Sequence, residues 1–487
     1  MIRCFLLPLA LIGLSAPVLA APPSPPTPQQ EVEAILAAAP QGTRFGLLVV
    51  DETGREVVAV NPDQRFIPAS VTKLFTTAAA YALLPGMDQP DAAGGTLVWL
   101  EPGAGKAAPD AILYGRGDAR MSSAADCQVN CLAQLADAVA ARTRRVHDVI
   151  GDATLWPDQR WVPGMSWNNI GTDSGTAVAA LNLDDNEMLV TVQPTTPGQV
   201  PAVQLPGYFT LRNEAVTVAA GGKTQLFVER AVNRNELRLY GTVPADAKPW
   251  SDRLGIDDPA LYAAWMLKGM LEARGVKVTG QVRARYRPQA MADLAMPGSE
   301  PAAAPVPTGT ALASLVPPPL AEDVVKINKD SQNLHAQALF RRLGAPAASE
   351  QWASAMQRKL FEAAGIGPRG FEFWDGSGMS TYNRVSPRAG IALLRWAASQ
   401  PWGAAWLASM PVAGRDGTLK RRFLSTPLEG VLTAKTGTLN ATNALLGTFV
   451  TAKGRRFTFA LFANDVPAGS SALPTMEAVL LKVAAAN

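Results

Sequence analysis

Apolar runs and their polar breaks divide the chain into a β-rich beginning, a β-rich end and a long mixed middle. Phe45-Gly46-Leu47-Leu48-Val49-Val50, the polar turn Asp51-Glu52-Thr53-Gly54 and Val57-Val58-Ala59-Val60 predict a hairpin. Toward the other end, residues 431–434, 444–451 and 457–463 predict three more strands, and residues 472–486 a closing helix. One sheet shared by both ends is the economical arrangement. Between them the pattern gives short strands at 97–100, 111–114, 187–192 and 237–240. A helix follows over 258–274, stopped at Gly275, then a strand-like stretch at 277–285 and a Pro- and Ala-rich segment at 296–310. The expected organisation is a terminal unit from 32–92 and 311–487, an inserted unit from 93–185 and 249–290, a second inserted subdomain at 186–248, and a linker at 291–310.

A length of 487 residues suits more than one domain, and 48% hydrophobic against 17% charged residues excludes general disorder. The formal charge of +3, from 44 basic and 41 acidic residues, offers no field that calls for nucleic acid. Arg3, an apolar run at 4–14 interrupted by Pro8, and Val18-Leu19-Ala20 read as a signal peptide (residues 1–20) cleaved after Ala20, hence an exported, periplasmic protein. The run is too short for a spanning helix, and no second candidate follows. Cleavage removes Cys4 and leaves Cys127 and Cys131, either a local disulfide or a pair of buried thiols. With two histidines far apart, His147 and His335, these thiols make a poor metal site.

Three short motifs carry candidate chemistry. Pro68-Ala69-Ser70-Val71-Thr72-Lys73 runs into an Ala- and Leu-rich helical stretch, which puts Lys73 one turn after Ser70 on the same face. A desolvated lysine can accept the serine proton, and a serine at a helix start sits where the dipole favours negative charge. Taken alone, the same spacing describes an ordinary serine N-cap followed by a surface lysine. Lys435-Thr436-Gly437-Thr438 follows a strand start; a cation beside hydroxyls can hold a carboxylate, and a glycine admits close approach of a ligand. Its plain alternative is an edge-strand lysine with a bulge. Ser331-Gln332-Asn333, at a predicted helix start, could relay a proton and hold a carbonyl, or could be a capping turn; Ser166-Trp167-Asn168 repeats the pattern.

In the order Ser-x-x-Lys, Ser-x-Asn, Lys-Thr-Gly, these motifs match the set of penicillin-binding proteins and serine β-lactamases. Further stretches extend the likeness: Gly115-Arg116-Gly117-Asp118, Asp375-Gly376-Ser377-Gly378-Met379-Ser380 and Pro411-Val412-Ala413-Gly414-Arg415-Asp416-Gly417-Thr418-Leu419. With the long insertion between Ser70 and Ser331, the chain resembles the class C penicillin-binding proteins of low molecular mass, the D-alanyl-D-alanine carboxypeptidase/endopeptidase family of S13-like serine peptidases.

The resemblance implies an α+β fold: a catalytic domain of the serine β-lactamase and penicillin-binding type, an antiparallel sheet flanked by helices, built from both chain ends around a large β-rich insertion. It implies Ser70 as nucleophile, Lys73 as its base, Ser331 as proton relay, and Asn333 as holder of the peptide carbonyl. Lys435, Thr436, Gly437 and Thr438 would receive the substrate, with the backbone N–H groups of Ser70 and Thr438 as oxyanion donors. The implied partners are peptidoglycan stem peptides, with β-lactams as covalent inhibitors and no cofactor or metal. Two departures stand out. Asn169 ends Trp167-Asn168-Asn169 where the resemblance leads one to expect an aspartate toward the amino end of diaminopimelate, and Gln332 replaces a frequent aspartate. A β-lactamase or esterase on the same scaffold, or a wall-binding protein without turnover, are the alternative readings.

Overall fold

The computed structural model describes Met1 and residues 27–487, apart from positions 104, 106, 107, 297, 302, 304 and 308. The expected leader with its cleavage after Ala20 therefore lies outside the described residues, Met1 aside. The central sheet is built from both ends of the chain, in the order Leu432–Leu439, Thr442–Val450, Arg456–Asn464, Arg44–Asp51, Glu56–Val60, all antiparallel. In register, Phe45 faces Ala463 and Lys435 faces Leu446.

The alternation of side chains along Arg44–Asp51 explains why this strand is apolar at nearly every position. Leu47 and Val49 enter one core with Val32, Phe459, Met476 and Val479, under the helices Pro28–Ala37 and Leu473–Ala486. Leu48 and Val50 enter the core on the opposite face, with Leu74, Phe75, Ala336 and Leu394 from the helices Thr72–Leu83, Asn333–Leu343 and Pro387–Ala398. The sheet is thus sandwiched, and one face carries the helices that bear the first two motifs.

The insertion has its own sheet, in the order Val282–Arg287, Val149–Pro157, Asp110–Tyr114, Leu97–Glu101, Ala313–Ser314, covered by Leu132–Arg142 and Pro259–Ala273. Two three-stranded sheets extend it: Gln225–Arg230, Glu236–Pro244 and Thr210–Val218, then Trp250–Gly255, Glu187–Gln193 and Ala202–Gln204. Asp258 caps Pro259–Ala273 through Oδ1, which accepts a 3.0 Å bond from the Leu261 N–H, so the helix starts where its sequence signal stands. The stretch 277–285 divides into two strands, Lys277–Val278 and Val282–Arg287. The return chain also differs from the pattern: Ala313, grouped by sequence with the terminal unit, pairs with Val98 of the inserted sheet. Cys127 and Cys131 are disulfide-bonded, which settles the two readings of that pair.

Candidate active site

Ala69–Val71 forms a single 3-10 turn that leads directly into the helix Thr72–Leu83, so Ser70 stands at a helix start as its motif predicts. Ala69 has φ +47, a left-handed conformation that a non-glycine residue adopts at a cost. Half-buried Ser70 sits above fully buried Lys73, whose Nζ donates to Ser70 Oγ at 3.0 Å, Asn333 Oδ1 at 2.6 Å and the Ser377 carbonyl at 2.5 Å. Burial pushes this amine down to about 7, against the opposing pull of the Asp375 carboxylate. An amine poised there is neutral in a large fraction of molecules near neutral pH and can take a proton from the hydroxyl it touches.

Lys435, also fully buried, donates to Ser331 Oγ at 2.9 Å and to the Thr436 carbonyl at 3.0 Å. Desolvation first, and the neighbouring Lys73 charge second, hold its amine well below the usual lysine range. Ser331, with φ +65, turns the chain into the helix Asn333–Leu343, and Gln332 caps that helix by accepting from the Leu334 N–H at 2.8 Å. Gln332 Nε2 also reaches Glu187 Oε1 at 3.2 Å, a contact in which an aspartate would face another carboxylate. The middle residue of the motif therefore works away from Ser70. Asn333 bridges two units of the fold, since its Nδ2 donates to the Ser174 carbonyl at 2.8 Å.

The first half of the edge strand Leu432–Leu439 is anchored by a loop: the Ala413 N–H donates to the Leu432 carbonyl and the Ala434 N–H to the Pro411 carbonyl. Because successive residues of a strand point their backbone groups to opposite sides, Thr436 and Thr438 present their N–H groups to the same edge, past the anchored part. Thr436 Oγ1 donates to Thr418 Oγ1 at 2.7 Å. Gly437 corrects the expectation attached to it. It makes room for the chain rather than for a ligand: a Cβ there would lie 2.5 Å from the Pro68 carbonyl and 3.2 Å from the Ala69 Cβ. The third motif is thereby packed against the turn that carries the nucleophile.

A cavity of about 830 Å³ opens over this arrangement, with Ser70, Ser331, Asn333, Thr436 and Thr438 in its walls. Ser166, Asn168, Asn169 and Ser174 of the insertion supply other parts of the lining. The rival motif thus reaches the same cavity, but the Ser166 hydroxyl bonds its own neighbour Asn168, whereas Ser331 and Asn333 accept from the two lysines. Neutral Asn169 stands where the family resemblance leads one to expect a carboxylate.

A fourth segment contributes what the three motifs could not disclose. Asp375 is fully buried and accepts from the N–H groups of Gly378 and Met379, the Ser377 hydroxyl at 2.6 Å and Asn383 Nδ2 at 2.5 Å. The turn so held presents the Ser377 carbonyl to Lys73. Gly378, at φ +89, lies against the nucleophile's own backbone, where a Cβ would come within 2.0 Å of the Ala69 carbonyl. Asp375-Gly376-Ser377-Gly378, which in the sequence only extended the family likeness, is a turn that shapes the site.

Comparison with known proteins agrees with this geometry. The family model of the D-Ala-D-Ala carboxypeptidase 3 (S13) family matches residues 28–486. The chain belongs to that family. It is 32% identical over 502 residues to the D-alanyl-D-alanine carboxypeptidase of Actinomadura sp. (strain R39), covering 98% of this chain and 88% of the relative. It is 24% identical to the D-alanyl-D-alanine carboxypeptidase DacB of Haemophilus influenzae, over 91% of this chain and 90% of that one. The crystal structure of penicillin binding protein 4 (dacB) from Haemophilus influenzae superposes with a TM-score of 0.75 at 22% identity, over 93% of this chain and 97% of that one, and shares its fold. The protein is a serine-type peptidase of α+β architecture. Among the described residues, no helix is long and apolar enough to cross a membrane.

Proposed function

We propose that the protein is an exported D,D-carboxypeptidase that removes the terminal D-alanine from peptidoglycan stem peptides through an acyl-enzyme on Ser70. The 3.0 Å contact between Ser70 Oγ and a lysine amine pushed down to about 7 carries this reading. Neutral Lys73 takes the hydroxyl proton as Oγ bonds to the carbonyl carbon of the penultimate D-alanine. The negative charge developing on the carbonyl oxygen is met by the backbone N–H groups of Ser70 and Thr438. As the peptide bond breaks, Ser331, which accepts from the Lys435 amine, passes a proton to the leaving amine, Asn333 holds the peptide chain, and Lys435 with Thr436 and Thr438 receives the leaving carboxylate. Gly437 serves by letting the strand close on the nucleophile's turn. Water then attacks the ester and frees the shortened peptide.

The same acylation breaks a cross-link when the leaving amine belongs to a second stem peptide, and a cavity of about 830 Å³ leaves room for such a group. A β-lactam enters the same steps as a strained acyl donor; one solved penicillin binding protein 4 of Haemophilus influenzae is in complex with a β-lactam. Export with removal of residues 1–20 completes the proposal, and N-terminal sequencing of the mature protein checks it.

Intact mass after penicillin treatment, followed by peptide mapping, is the deciding experiment. One adduct per chain on Ser70, and loss of both adduct and D-alanine release in Ser70→Ala, are expected. Full labelling of the Ser70→Ala variant overturns the reading.

A further inference from the structure

The insertion grips the start of the helix Asn333–Leu343 through a turn that no step above uses. Asp184, Asp185 and Asn186 have φ +52, +56 and +50, three left-handed residues in a row with no glycine among them. L-residues adopt that conformation singly and at a cost, so the packing around the turn enforces it. The two outer side chains are held within the insertion. Asp184 accepts from the Ser123 N–H at 2.8 Å and from the Ser123 hydroxyl. Fully buried Asn186 donates to the Ala177 carbonyl and to Asn182 Oδ1, both at 2.8 Å, and accepts from the Leu183 N–H at 3.0 Å. Between them, Asp185 reaches across to the terminal unit, where its Oδ1 accepts from His335 Nε2 at 2.7 Å.

His335 is buried in the first turn of that helix, two residues after Asn333. Its Nδ1 lies 2.5 Å from Asp323 Oδ1, on the helix Leu320–Lys329, so a carboxylate at each ring nitrogen fixes the imidazole at both edges. Two more contacts converge on the same turn: the Ser174 carbonyl accepts from Asn333, and Glu187, next after Asn186, accepts from Gln332. Gln332, Asn333 and His335 are thus each bonded to the insertion, while Asn333 Oδ1 accepts from the Lys73 amine at 2.6 Å. Of the three ties, the one through His335 is buried and carries charge on its acceptor and its donor, which makes it the strongest. A displacement of about 1 Å in a positioning group can slow a reaction by about 10²-fold.

We propose that Asp185 is a positioning residue for acylation: from the insertion, and through His335, it fixes the first turn of the helix so that Asn333 keeps its place against Lys73. The inference rests on the peptidase reading and gives the insertion a part in it. The competing explanation is an ion pair that only joins two units of the fold.

The test is a double-mutant cycle on the rate of penicillin acylation at Ser70, followed by intact mass, with thermal melts on each variant. Glycine is the replacement at position 185, because it adopts positive φ without strain and removes the carboxylate. Asp185→Gly should slow acylation by about tenfold or more. Asp185→Asn, which tolerates φ +56 and can still accept from His335, should recover most of that rate. The double variant should match Asn333→Ala to within about twofold, since a residue that acts only through Asn333 then has nothing to act on. If Asp185→Gly does not fold, Asp185→Ser, too short to reach His335, takes its place in the cycle. Losses that multiply in the double variant, an unchanged rate in folded Asp185→Gly, or Asp185→Asn as slow as Asp185→Gly overturns the inference. Absence of any Ser70 adduct or turnover in wild type would instead defeat the peptidase reading itself.

Discussion

Lys73 shows how much chemistry one side chain draws from its surroundings. Its three acceptors come from three separate segments, Ser70, Asn333 and the Ser377 carbonyl, while burial strips it of water. With its amine pushed down to about 7, the rate of penicillin acylation should rise with pH through about 7, as the protonated amine becomes a base; stopped-flow acylation from pH 5 to 9 checks the limb. Lys73→Arg keeps the charge but cannot give up its proton, and should slow acylation by about 10³-fold. Asp375 pulls the same amine upward, so Asp375→Asn should move the limb to more acid pH, with a loss of stability from the turn it holds. A limb that stays in place while only the amplitude falls would reduce Asp375 to a turn-former. Ser70 and Lys73 were legible in the sequence through their spacing. The Ser377 carbonyl was not, because every residue has a carbonyl and only its placement gives it a part.

The strand Leu432–Leu439 does three things at once. Its first half is sealed by the loop 411–413, its second half is open, and its middle is pressed against the nucleophile's turn at Gly437. Gly437→Ala should therefore force the strand away from Pro68. The expected result is about 1–3 kcal/mol of lost stability in chemical denaturation and a larger fall in acylation than in overall folding, since the displaced element carries both Lys435 and the Thr438 N–H. The sequence foretold the start of this strand, at 431–434. It assigned the glycine to a ligand, because a sequence does not say which neighbour comes close.

Across the whole molecule, the insertion and the terminal unit meet through charged groups. His335, 1% exposed on the helix that Asn333 begins, places Nδ1 2.5 Å from Asp323 and Nε2 2.7 Å from Asp185 of the insertion, with Lys326 on the far side of Asp185. Burial alone would lower this imidazole; the two carboxylates outweigh it and raise it to about 9. A proton held more tightly in the folded state stabilises fully below the unfolded value near 6.5 and is lost as pH rises through about 9. The clamp should account for about 3 kcal/mol over that window, and His335→Gln should flatten the alkaline fall in stability, read as urea midpoints at pH 6 and 9.5. Arg120 and Arg342 both bind Asp91 along the same junction. The sequence by itself determined the strands of the central sheet, the helix starts at Ser70, Asp258 and Asn333, and the residue types of the reaction, because periodicity and short motifs are local properties. Only the tertiary structure decided that two lysines distant in the chain reach two serines of one cavity, that Asp375 belongs beside Lys73, and that His335 joins the two units. Burial and charge proximity arise when segments far apart in sequence are packed together.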